Sequence, residues 1–166
     1  MNNFKTYKIM ETAIGITPKN LTEVAHSLNV LLADEHVLYI KTRNAHWNVE
    51  GPDFLTKHRF FEEQYGQIET IIDDVAERIR TLGHYAEATL AGYLKLTHLT
   101  EGTRAKNDST GFIKSLLEAH EAIIIHLRES IDVYASKYHD LGTSDFITGL
   151  MEIHEKMAWM LRAHLK

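Results

Sequence analysis

The stretch that decides the architecture is residues 83–111, GHYAEATLAGYLKLTHLTEGTRAKNDSTG. Residues 88–99 are apolar but long enough only for a small helix, and residues 100–111 form a polar loop. Long apolar runs at helical spacing flank this connector on both sides. Upstream, Thr17 and Pro18 mark a helix start, as a cap and a first-turn proline. Leu21, Val24, Leu28, Leu31, Leu32, Leu38 and Tyr39 then keep helical spacing, so the first helix runs to about Trp47. A turn at Glu50-Gly51-Pro52-Asp53 ends it. The second run is Phe54, Phe61, Tyr65, Ile68, Ile72, Val75, Ile79 and Leu82, with Gly83 placed as a left-handed cap. Downstream, Phe112, Leu116, Ile123, Ile124, Leu127, Ile131 and Tyr134 share one face of a third long helix. After a break at residues 139–143, a fourth starts near Ser144 and carries Phe146, Leu150, Ile153, Met157, Leu161 and Leu165. The two outer links are short and join antiparallel neighbours. The middle one is long enough to cross the bundle from end to end, since about 28 helical residues span about 42 Å. The expectation is an all-α four-helix bundle, residues 17–166, preceded by a short N-terminal segment, residues 1–16. Its long crossover carries a short helix between helices 2 and 3.

Composition narrows the function classes. With no cysteine, disulfides are impossible and nothing points to an oxidising compartment. The N-terminus lacks a basic region followed by an apolar run, and no apolar stretch approaches membrane-spanning length. The expected location is cytoplasmic, with association with the nucleoid left open. A formal charge of −5 argues against sequence-independent binding to nucleic acid, which depends on clustered lysine and arginine. Residues 1–16 hold only Lys5 and Lys8 against Glu11, so DNA binding is expected to be weak or absent. Eleven histidines are more unusual and raise the question of metal.

A four-helix bundle with one long crossover is the ferritin-like arrangement, in which each of two helices usually carries a Glu-x-x-His pair. Only one such match occurs, Glu23 with His26, so the usual intra-bundle centre is not encoded. Another constellation is available. His46 stands at the end of the first helix beside Trp47. On the second helix His58 and Glu62 are four apart, and so are Asp73 and Glu77, which places each pair on one helix face. Positions 58 and 73 are separated by about 22 Å of rise, too far for one metal in one chain. The halves meet only if a second copy lies antiparallel across a two-fold axis. Imidazole with carboxylate suits ferrous iron and would also accept zinc.

The segment His46-Trp47-Asn48-Val49-Glu50-Gly51-Pro52-Asp53-Phe54, then His58, then Asp73, Asp74, Val75, Ala76, Glu77 and Arg78, resembles the signature of the Dps family, the DNA-binding proteins from starved cells or miniferritins. The likeness covers nearly the whole chain, including the small crossover helix and Trp159 in the last helix. It implies a homo-oligomeric shell, a homododecamer built from two-fold dimers, that oxidises ferrous iron with hydrogen peroxide, stores the ferric product and protects against oxidative stress. It also implies that His46, His58 and Glu62 come from one subunit and Asp73 and Glu77 from its mate. Many members have aspartate where this chain has Glu62, which reaches one methylene further. Trp47 is a candidate electron donor near the metal as well as a packing residue. Asp140 and Asp145 match the acidic ion-entry pore of the family, while a third pore position is Gly149. Asp145 alternatively belongs to a capping turn with Thr143 and Ser144.

Overall fold

The computed structural model describes residues 12–102 and 107–166. Lys5, Lys8 and Glu11 lie outside the described residues. The long helices are α1 (Pro18–Asn48), α2 (Phe54–Thr81), α4 (Ser109–Asp132) and α5 (Leu141–Ala163), and α3 (Leu90–Leu96) is the short crossover helix. Among the described residues there is no strand, only an isolated bridge between Glu50 and Asp108. Among the described residues no helix is long and apolar enough to cross a membrane.

Local chemistry sets the helix ends. Thr17 caps α1 by accepting the Asn20 amide, with Pro18 in the first turn. Gly83 ends α2 at φ +86, where only a residue without Cβ is unstrained. The Gly83 amide donates to Arg80 and the His84 amide to Ile79, the paired bonds of a Schellman cap. Phe61, Ile68, Val75 and Ile79 from α2 meet Leu28, Leu31, Leu32 and Leu38 from α1 in the core. Leu116, Ile123 and Leu127 from α4 and Ile147, Met157 and Leu161 from α5 complete it.

The crossover is fastened along α1 by side chains that satisfy its loose backbone groups. Asn29 accepts the Glu87 amide at 2.7 Å and donates to the Tyr85 carbonyl. Buried Asp34 accepts from Thr97 Oγ1 at 2.7 Å and the His98 amide at 2.6 Å. Lys41 Nζ donates to the Thr100 carbonyl, and the Glu50 amide to that of Asn107. From Asn29 to Asn48, where α1 ends, is about 28 Å of helix, so the connector traverses most of the bundle, as its length predicts.

Two boundaries differ from the sequence reading. Asp108 caps α4 through the Gly111 amide, so this helix begins at Ser109, inside the expected loop. The last helix begins at Leu141 rather than near Ser144, because Asp140 caps it through the Thr143 amide at 2.8 Å. Between them α4 widens at its exit into a π turn (Val133–Lys137), and His139 takes a positive φ of 58°. Burial pushes the Tyr134 phenol up to about 12, and its hydroxyl donates to Ser27 Oγ.

Candidate metal centre

His46 lies in the last turn of α1 and His58 in the first turns of α2, so the tight link at residues 49–53 folds one against the other. Gly51, at φ +129, permits that turn. The rings stack with centroids 3.8 Å apart and 23° between planes. Nδ1 of His46 stands 2.8 Å from the carbonyl oxygen of His58, and Nδ1 of His58 stands 2.8 Å from that of His46. A carbonyl oxygen only accepts, so each Nδ1 carries a proton and Nε2 is the nitrogen that can offer a lone pair. Both imidazoles are thus held in the tautomer that binds a metal through Nε2.

The surroundings of the pair are largely aromatic. His46 is buried and His58 half-buried, with Phe54 at 5.3 Å from the His58 ring and Tyr65 edge-on to His46 at 5.2 Å. Arg43 sits 4.5 Å from the Tyr65 ring, 4.8 Å from Trp47 and 5.6 Å from Tyr39, a cation shared among three aromatic faces. Trp47 is 60% exposed, and Phe54 and Leu55 beside it are exposed too. Exposed apolar groups clustered at a polar half-site are what a partner surface covers. Sequence spacing gives Tyr65 only a place in the apolar run of the second helix and gives Arg43 no role. Their signal was present, since Tyr39, Arg43 and Trp47 follow one another at four-residue spacing on α1.

The carboxylates occupy two places on α2. Glu62 is exposed and accepts from the Tyr65 hydroxyl at 3.5 Å. Asp73 and Glu77 are exposed, and neither makes an ion pair among the described residues. By contrast Glu121 and Glu155 are paired with Arg162 and Arg128. Within the described residues no three His, Asp or Glu side chains of one chain are grouped so as to hold a metal ion. His46 and His58 are brought together, Glu62 stands one turn further along α2, and Asp73 and Glu77 lie well away toward its other end.

The two pore candidates separate. Asp140 is buried, 2% exposed, with Oδ1 accepting from Arg78 at 3.1 Å and from the Thr143 amide, and Oδ2 accepting from Thr143 Oγ1 at 2.5 Å. The capping role expected for the turn at Thr143, Ser144 and Asp145 therefore falls to Asp140, and Asp145 is exposed.

The chain matches the ferritin-like domain model over residues 25–166. It is 41% identical, over 92% of its length and 86% of the relative's, to an uncharacterized low temperature-induced protein of a Nostoc species. It is 36% identical to DNA protection during starvation protein 2 of Bacillus anthracis, over 86% of this chain and 97% of that one. The crystal structure of a Dps protein from Vibrio cholerae, described as a ferritin-like diiron-carboxylate protein, superposes with a TM-score of 0.88 at 32% identity, covering 97% of this chain and all of the other. The fold, the crossover and the histidine pair thus stand together with matches over nearly the full length, and the chain belongs to the Dps family of miniferritins within the ferritin-like fold.

Proposed function

We propose that this protein oxidises ferrous iron at a site shared between two-fold mates and stores the ferric product inside a shell of twelve subunits. The observation that carries the reading is the reciprocal fixing of His46 and His58, which presents two Nε2 lone pairs beside an exposed apolar rim. His46, His58 and Glu62 of one subunit face Asp73 and Glu77 of its mate. The imidazoles bind Fe(II), and the carboxylates offset the added charge as iron becomes ferric. Glu62, one methylene longer than aspartate, reaches the weaker second iron position directly or through water. Zinc competes for the same donors.

Hydrogen peroxide is the proposed oxidant, since consuming peroxide and iron together removes both reagents that generate hydroxyl radical. Trp47, whose ring lies 4.8 Å from Arg43 Cζ, gives up an electron when oxidant exceeds iron. Asp145 is the free carboxylate for an ion-entry path. Asp140 is committed to its cap and to Arg78. Anaerobic titration with Fe(II) followed by peroxide tests the reading. A stoichiometric bound phase and rapid ferric absorbance support it, and oxidation no faster than in protein-free buffer refutes it.

A further inference from the structure

Three helices of the bundle each turn one ionisable side chain into the apolar core. Glu35 on α1 follows Leu28, Leu31 and Leu32 and precedes Leu38 on the buried stripe. His120 on α4 lies between Leu116 and Ile123, and His154 on α5 between Leu150 and Met157. All three are 0% exposed. Nδ1 of His154 lies 3.0 Å from Nδ1 of His120, so one of them donates to the other. On the far side of its ring, Nε2 of His154 lies 2.9 Å from Glu35 Oε1.

That last contact is close enough for an ion pair yet completes no hydrogen bond. Neither Glu35 Oε1 nor His154 Nε2 completes a hydrogen bond, and Glu35 Oε2 and His120 Nε2 also lack partners. A carboxylate in an apolar core without hydrogen bonds is a costly feature, and natural folds keep one only where something compensates it. Geometry indicates what does. Two ligand atoms each about 2.1 Å from one ion and at right angles stand about 3.0 Å apart. The second then lies about 45° off the lone-pair axis of the first, too oblique for an N–H···O bond. The Glu35–His154 pair has that separation, and its contact completes no hydrogen bond.

We propose that Glu35 and His154 form a second cation site, inside the bundle of a single subunit, for a divalent first-row transition metal. Glu35 supplies its carboxylate oxygens and His154 its Nε2. His120 accepts the His154 Nδ1–H and holds the ring, as an outer partner does for a metal-bound histidine. One imidazole nitrogen with carboxylate oxygen favours such an ion over magnesium or calcium. This set shares no residue with His46, His58 or the α2 carboxylates, and Glu35 lies about 16 Å of helix from His46. It does not depend on the iron chemistry proposed above.

Co(II) alone is the probe, applied to the assembled protein carrying His58→Ala and Asp73→Ala, so that the shared site does not contribute. After loading, excess EDTA strips surface ions quickly, while a fully buried ion leaves only as the bundle opens. The expected result is about one Co(II) per chain surviving the chelator, with visible ligand-field absorption, and a raised thermal midpoint. Adding Glu35→Gln, or separately His154→Gln, abolishes the retained fraction with helical circular dichroism unchanged. No chelator-resistant Co(II) in the starting protein would overturn the proposal, whether or not the further variants fold. So would equal retention after Glu35→Gln, and a buried proton in place of the ion gives the first of these results.

Discussion

Nδ1 of His46 and Nδ1 of His58 each lie 2.8 Å from the other residue's carbonyl oxygen, a reciprocal pair that ties the end of α1 to the start of α2. Each bond fixes one tautomer and one ring orientation, so both Nε2 atoms are set before any metal arrives. The bond from His58 also satisfies the His46 carbonyl, one of the last in α1, which makes the histidines part of the fold as well as of the proposed site.

His58→Ala should slow peroxide-driven oxidation of Fe(II) by roughly ten-fold or more, since removing even an outer partner of a metal ligand costs that much. It also frees His46 Nδ1, so ligand loss and reorientation act together. Stopped-flow absorbance with the shell verified by size exclusion reads the effect, and a parental rate would remove His58 from the site.

Asp140 and Asp145 should behave as different kinds of residue. Asp140→Ala removes a helix cap and leaves Arg78, 27% exposed, without its carboxylate, at a cost of about 2–3 kcal/mol once solvent screening is allowed for. Asp145→Asn should change stability by no more than about 0.5 kcal/mol and slow iron entry. Denaturant midpoints and iron uptake rates on both variants separate them. Uptake unaltered by Asp145→Asn removes the pore assignment.

DNA should be retained weakly or not at all at about 150 mM salt, given the net charge of −5. Binding through Lys5 and Lys8 at low salt is compatible with this, through avidity in an assembled shell. A gel shift across a salt series is the check, and stable plasmid retention at physiological salt contradicts the expectation.

Much of this was legible in the chain because the relevant signals are local. The Gly83 cap, the Pro18 start and the crossover follow from residue chemistry over a few positions. What the chain hides is non-local. Thr143, Ser144 and Asp145 offered several caps for α5, and Asp140 took the role alongside a pairing with Arg78, which is far off in sequence. His120 and His154 both lie fully inside the core. Their place at every third or fourth apolar position, shared by Glu35, was a usable signal. That these three approach one another, however, depends on how α1, α4 and α5 pack.

The central claim is that one site is built from two chains, and complementation tests it. One variant lacks the histidine half, His46→Ala with His58→Ala, and another lacks the carboxylate half, Asp73→Ala with Glu77→Ala. Each should be nearly inactive alone, because every two-fold pair then carries the same defect at both sites. In a mixed pair the intact histidines of one subunit meet the intact carboxylates of its mate, so one site is whole and the other carries both defects. Random co-assembly makes about half the pairs mixed, so roughly a quarter of all sites should regain activity. The two variants are denatured and refolded together, mixed shells are confirmed by mass, and peroxide-driven iron oxidation is measured. Recovery near a quarter of the parental activity is the predicted result, and activity no higher than the sum of the separate variants would contradict the shared site.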